Sequence, residues 1–326
     1  MRERIGKLFG LSGPLLGLTF TYLMFFFIAP DTFHSLYNTK TILTQTVIIG
    51  VAALGMTVII ISAGIDLSAG SLVALGTVVT ALVLRRWGAD SPGIWLPLAA
   101  AMAGILVCTF CGLLNGLMIA YLRVVPFIVT LGMMQIARGA AKGLSHQTTV
   151  NTPSSWLNGM MTVEPRMDVW YSVAPAVWLM LALLAVMYIV LRYTVFGRHV
   201  YAVGSNEATA RLCGVKVKSH RVWVYTLGGL LAGVSSVMSF SALNLGDPTG
   251  AIGLELDIIA AVVIGGGSFN GGEGSVIGSV LGALVISILR SGCQAVGVEN
   301  YVQNIVIGAI IITAVGIDQL KQKQYR

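Results

Sequence analysis

Ten apolar stretches follow one another through this chain, at 13–29, 42–62, 69–86, 94–121, 124–142, 172–193, 222–243, 254–267, 274–290 and 300–317. A bilayer core asks for roughly 20 apolar residues per helix. Soluble domains carry about 25% charged residues, whereas only 10% of these 326 residues are charged. No water-soluble core of this size absorbs so much apolar surface. The pattern predicts an all-α polytopic membrane protein with about ten transmembrane helices, forming one domain over 1–326. The basic start (Arg2, Arg4, Lys7) leads into a long apolar run with no small-residue cleavage site before Asp31, which reads as an uncleaved first helix.

The surplus of Lys and Arg marks one side of the membrane rather than a nucleic-acid surface. Twelve of the twenty lie in 1–7, 192–221 and 321–326. Placing all three pieces in the cytoplasm requires an even number of helices before the middle one and an even number after it, which six and four satisfy, with both termini inside. Arg85 and Arg86 then fall outside, so that either the third segment is re-entrant or the rule is locally overruled. The loop 143–171 is extracytoplasmic and poor in basic residues, and 194–221 is a large basic cytoplasmic loop. Within it, Ser205 to Leu212 reads as a short helix capped by Ser205 or Asn206, with Glu207 in its first turn and Gly214 as its stop. Such a helix offers a docking surface to a cytoplasmic partner.

Residues 62–86 overlay 266–290 at an offset of 204, with Asp66 opposite Asn270 and Arg86 opposite Arg290. Internal repeats with glycine-interrupted helices are a property of transporters. In Ala63–Ser71, Asp66 lies between two apolar runs, where an acid in lipid costs about 2.5–3.5 kcal/mol. Asp66, Ser68 and Ser71 either cap a helix starting near Ala69 or line a pathway. Asn115, Thr130, Gln135, Ser239 and Asn244 are further polar residues in apolar segments, suited with Phe127 to an uncharged hydroxyl-rich solute. Each also fits ordinary interhelical hydrogen bonding. Arg138 reads as snorkelling, and Glu255 and Asp257 as acids in a first helical turn. Glycines at four-residue spacing, such as Gly112/Gly116, Gly139/Gly143, Gly229/Gly233 and Gly274/Gly278/Gly282, read as helix-packing devices.

Cys108 and Cys111 form a C-x-x-C inside an apolar run, a buried small-residue pair rather than a metal site. The sequence contains no nucleotide-binding G-x-x-x-x-G-K-[ST], no H-E-x-x-H and no G-x-S-x-G. The chain is therefore expected to bind no metal or cofactor and to have no catalytic site. A carrier driven by an ion gradient is the alternative, with Asp66 as its ion-site candidate.

Four blocks, in order, give the chain a family likeness: GIDLSAGS at 64–71, VPFIVTLG at 125–132 with Arg138-Gly139, FGRHVYAVGSNEATARLCGV at 196–215, and GLELDIIAAVVIGGGSFNGGEGSVIG at 253–278. The chain resembles the membrane permease subunits of ribose-type sugar importers driven by ATP-binding cassettes (ABC importers). That group includes pentose, hexose and autoinducer-2 permeases. The resemblance implies a fold similar to the vitamin B12-type permeases and a second permease subunit, in a homodimer or heterodimer. It further implies ATP on a separate cytoplasmic ATP-binding subunit, an extracytoplasmic solute-binding protein, and residence in a bacterial inner membrane. It makes Asn206–Gly214 the coupling helix, with Asn206, Glu207, Ala208, Thr209, Ala210, Arg211 and Gly214 at the ATPase. The importer pattern E-A-A-x-x-x-G is met only in part, Glu207 being shifted by one.

Overall fold

The computed structural model describes residues 2–87, 93–163 and 172–324. Among them are twelve α-helices. The first six are α1 (Arg2–Ile28), α2 (Leu36–Ile61), α3 (Ala69–Trp87), α4 (Trp95–Tyr121), α5 (Pro126–Leu144) and α6 (Pro175–Tyr193). They are followed by α7 (Val195–Ser205), α8 (Glu207–Leu212), α9 (Val217–Leu243), α10 (Leu254–Ile264), α11 (Val276–Ala295) and α12 (Asn300–Gln324). Each of the ten apolar stretches coincides with a helix, and the basic loop supplies α7 and α8. Among the described residues, six helices, α2, α3, α4, α6, α9 and α11, are long and apolar enough to cross a membrane. The third segment is one unbroken helix, with Arg85 and Arg86 in its last turn, where cations suit the helix dipole.

A helix that is apolar all round belongs in the interior. Accordingly α2, whose most apolar window is 89% buried, runs through the centre, and α6, at 28%, lies at the edge. Close approach of α4 to α9 depends on glycine. A Cβ on Gly112 would stand 2.9 Å from the Cα of Gly229, and one on Gly233 would stand 2.7 Å from the Cα of Ile105. Gly278 and Gly282 likewise lie against the backbone of Gly265, the C-cap of α10, and of Ala261 within it. Gly139 and Gly143 differ, because among the described residues nothing lies within 4 Å of their Cβ positions. Cys108 donates to the Leu72 carbonyl at 3.1 Å and packs as a buried thiol.

The repeat has another register than the sequence suggests. α9 begins 181 positions after α2 (Leu36, Val217), and α11 begins 181 positions after α4 (Trp95, Val276). Packing follows the same correspondence. α3 contacts α4, α5 and α9, while α10 contacts α11, α12 and α2. Exchanging α2–α5 for α9–α12 maps one set of contacts onto the other. α6, α7 and α8 lie between the two four-helix units. The offset of 204 pairs segments that are neighbours in space instead, since the Gly272 amide donates to the Ile61 carbonyl at 2.8 Å.

The loop after α5 folds back onto the end of α9. Val150–Asn151 (β1) pairs antiparallel with Leu245–Gly246 (β2), Val150 opposite Gly246. The Met161 amide donates to Ser241 Oγ at 3.1 Å. The remainder of the expected loop, at 164–171, lies outside the described residues.

Candidate functional site

Two breaks in the helical framework, one in each unit, share a construction. After α2, Ala63 takes a left-handed conformation (φ 58°), and after α9 Asn244 does the same (φ 57°). Three residues further on, each break has an aspartate. Asp66 Oδ1 accepts from the Ser68 amide at 2.8 Å and from Ser68 Oγ at 2.5 Å. Asp247 Oδ1 accepts from the Thr249 amide and Thr249 Oγ1, both at 2.8 Å. A short acid that binds its own backbone two residues on closes a tight turn and releases the chain from helix. Asp66-Leu67-Ser68 and Asp247-Pro248-Thr249 therefore form one turn used twice, 181 positions apart.

The first break gathers several of the residues singled out from sequence. Asp66, Ser68, Ser71, Asn115 and Thr130 are all buried. Asn115 Nδ2 donates to Ser68 Oγ at 3.1 Å, and Thr130 Oγ1 and Tyr225 OH each reach the Ile65 carbonyl at 3.4 Å. Asp66 thus caps its own turn and not α3 itself. Phe127, Gln135 and Asn244 do not join this cluster but stand exposed on the chain. Asp66→Asn keeps an oxygen acceptor for Ser68 and is expected to leave the fold and transport largely intact. Asp66→Ala strands the buried Ser68 amide at a cost of about 1–3 kcal/mol. Thermal melting of the two purified variants separates them, and equal melting temperatures would dismiss the turn as a structural element.

The second break descends along α3 towards the first. The Asp247 amide donates to Thr77 Oγ1 at 3.3 Å, and a Cβ on Gly70 would lie 2.7 Å from the Ala251 carbonyl oxygen and against Glu255 Oε2. The N-termini of α3 and α10 therefore meet, with only a glycine between the Glu255 carboxylate and the α3 backbone. Among the described residues, Glu255 Oε2, Ser71 Oγ and Asn115 Oδ1 are buried and have no hydrogen-bond partner. Each can accept a further hydrogen bond.

Arg138, expected to snorkel, instead ties α5 to the second break. Its Nη1 donates to the Pro248 carbonyl at 3.1 Å and the Gly250 carbonyl at 2.6 Å, and its charge lies beside Glu255 and Asp247. Asp257 lies in the first turn of α10 as expected and in addition pairs with Arg290, whose Nη2 reaches both carboxylate oxygens at 2.9 and 2.7 Å. These roles escaped sequence reasoning. The one available signal was the recurrence of D-x-[ST] after an apolar run.

The basic loop is rigidly seated. Asn206 Oδ1 caps α8 by accepting from the Thr209 amide at 2.9 Å, and Gly214 ends it in a left-handed conformation (φ 86°) that suits glycine. Glu207 pairs with Arg211 at 2.7 Å and also with Arg221 on α9. Ala210 packs inward against Val203 and Val217. Ala208, Thr209, Arg211 and Leu212 face out, Leu212 at 88% exposure. At the end of α7 that adjoins α8, Gly204 lies against the Ile61 carbonyl and the Gly272 amide, where any side chain would clash. Tyr201 OH donates to the Gly274 carbonyl at 2.9 Å. Burial raises the Tyr201 phenol above the usual tyrosine range, so it remains a donor. Through α7, α8 is thus joined to the end of α2, where the first break begins.

Residues 38–315 match the family of branched-chain amino acid transport system permease components. The chain belongs to this permease family. Its relatives include the ribose import permease RbsC of Escherichia coli K12, 36% identical over 297 residues covering 89% of the permease and 88% of that protein. The galactose/methyl galactoside import permease MglC of the same organism is 36% identical, over 89% of the permease and 88% of its own length. The fructose import permease FrcC of Rhizobium meliloti is 32% identical, over 95% and 85%. No solved structure matches the chain. The resemblance to ribose-type sugar importer permeases is borne out, and the permease is a multi-pass transport component rather than an enzyme.

Proposed function

We propose that the permease moves a sugar across a bacterial inner membrane as one of two permease subunits flanking a shared pathway. In this reading it has ten spans, a fold like that of the vitamin B12-type permeases, and both termini in the cytoplasm. A separate cytoplasmic ATP-binding subunit energises it, and an extracytoplasmic solute-binding protein delivers the solute. The sugar class follows from its relatives, whose names specify ribose, galactose and fructose import. The observation that carries the proposal is the seating of α8. Its exposed face (Ala208, Thr209, Arg211, Leu212) is available to a partner, while α7 behind it abuts Ile61 at the first break. ATP-driven movement of the partner then acts on α8, passes through α7 to that break, and shifts one four-helix unit against the other. The second break opens and closes the opposite end of the pathway. Glu255, Ser71 and Asn115, with free acceptor capacity between the breaks, suit the hydroxyl groups of a sugar.

Placing a charge on the exposed face, as in Ala208→Asp, is expected to abolish ATP-dependent uptake and ATPase association with the permease still folded, because an unpaired charge enters a docking contact. Ala210→Asp buries the charge within the loop itself and is expected to lower folded yield instead. Uptake in membrane vesicles with ATP present and ion gradients collapsed provides the check. Uptake that ignores ATP and needs the gradient would favour an ion-coupled carrier, and normal uptake by Ala208→Asp would remove α8 as the coupling element.

A further inference from the structure

A groove of about 340 Å³ lies between the α4–α5 turn, α8 and the first turns of α9, apart from the two breaks. Arg123, Arg211, Lys218 and Arg221 line it, against the single carboxylate of Glu207. Since Arg211 and Arg221 share Glu207, three positive charges remain uncompensated among these five residues. Neither Arg123 nor Lys218 forms a salt bridge among the described residues. Lys218 sits over the Tyr121 ring, 5.4 Å from its centroid. Arg123 is held left-handed (φ 56°) where α4 gives way to α5, a backbone state that costs a non-glycine residue of order 1–3 kcal/mol and concentrates at ligand clamps.

The apolar surroundings indicate what such a charge is for. Tyr121, Leu122 and Val125 beside the groove are 58%, 69% and 57% exposed, and Trp223 on α9 is 63% exposed. Exposed Tyr and Trp at the ends of spanning helices mark the headgroup level of a bilayer. An acidic segment of a soluble partner would match the cations but leave Leu122 and Val125 against water or carboxylates. A phospholipid matches both halves, and basic pockets between spanning helices take anionic headgroups.

We propose that this groove holds the phosphate of an anionic phospholipid from the cytoplasmic leaflet, with the acyl chains running past Leu122 and Val125. The leaflet assignment rests on the cytoplasmic placement of α8 proposed above. Arg123 and Lys218 supply the free charge, and the phosphate draws on Arg211 and Arg221 in competition with Glu207. Because the Glu207–Arg221 pair fastens α8 to α9, lipid occupancy adjusts how firmly the coupling helix is held.

The full-length permease reconstituted in nanodiscs of phosphatidylcholine with or without phosphatidylglycerol, and analysed by native mass spectrometry, tests this directly. Wild type is expected to retain phosphatidylglycerol, and Arg123→Gln/Lys218→Gln to retain several-fold less, with an unchanged melting temperature. If the double variant fails to fold, Lys218→Gln alone is measured in the same way. Equal retention by wild type and the folded variant would overturn the proposal. So would complete displacement of the lipid by millimolar inorganic phosphate, which would assign the groove to the free anion. Lipid retention is read without transport, so failure of the sugar-import reading would leave this outcome intact. Labelling of Cys213 by a membrane-impermeant thiol reagent from outside intact cells would overturn the leaflet assignment.

Discussion

Asp257→Ala is expected to lower the stability of the permease by roughly 3 kcal/mol, towards the low end of the range for breaking a buried ion pair. Asp257 is 8% exposed and Arg290 30% exposed at their side chains, so the acid is the more deeply buried partner. Removing the acid strands a guanidinium between α10 and α11, where two oxygens now hold it at 2.9 and 2.7 Å. The reverse change, Arg290→Leu, leaves the more buried partner uncompensated and is expected to cost at least as much. The double variant Asp257→Leu/Arg290→Leu is expected to recover most of the loss, because a buried pair replaced by apolar groups is often near neutral. Melting temperatures in one detergent provide the cycle. Additive losses in the double variant would show that the two residues act separately.

Arg138→Gln is expected to reduce sugar uptake by more than tenfold while the chain remains folded. Arg138 holds the carbonyls of Pro248 and Gly250, and glutamine's shorter neutral amide cannot keep both. Hydrogen bonds to charged groups are worth about 1.5–3 kcal/mol each, and about 1.4 kcal/mol is already a factor of ten in an equilibrium. The second break is thereby released from α5. In a Cys213→Ser background, Thr249→Cys is expected to label faster with a membrane-impermeant thiol reagent when Arg138 is also replaced. Ala63→Cys at the first break, an exposed position, is expected to label as before. Normal uptake, or equal acceleration at both breaks, would show that Arg138 does not latch the second break.

Several features were legible because they rest on local chemistry. Asn206, Glu207 and Gly214 mark a cap, a first turn and a stop, and the structure has α8 from Glu207 to Leu212 with Asn206 as its cap. The paired glycines of α4 and α9 announced close helix contact, which Gly112 and Gly229 make. Gly139 and Gly143 have the same spacing and make no such contact among the described residues, because spacing says which face is small but not what lies opposite it. The clustering of Asp66, Ser68, Asn115 and Thr130 was open to sequence reasoning only as a set of polar exceptions. Gln135 and Asn244 satisfied the same criterion and stand apart, as does the aromatic Phe127.

The repeat shows the boundary most clearly. Glycine-rich apolar segments resemble one another at many offsets, and 204 aligned two that touch. The register of 181 is carried by helix starts, packing partners and the two aspartate turns, with little identity of residues. By itself the sequence determined that the chain is a stack of apolar helices, where its cationic loop lies and how that loop begins and ends. Hydropathy, capping and charge asymmetry act within a few residues of the backbone. Only the tertiary structure decided that Arg138 serves Pro248 and Gly250, that Asp257 serves Arg290, and that Glu207 braces its own loop. Partners so far apart in the chain are chosen by how helices pack, and a charged group in an apolar interior settles on whatever counter-group the packing brings within reach.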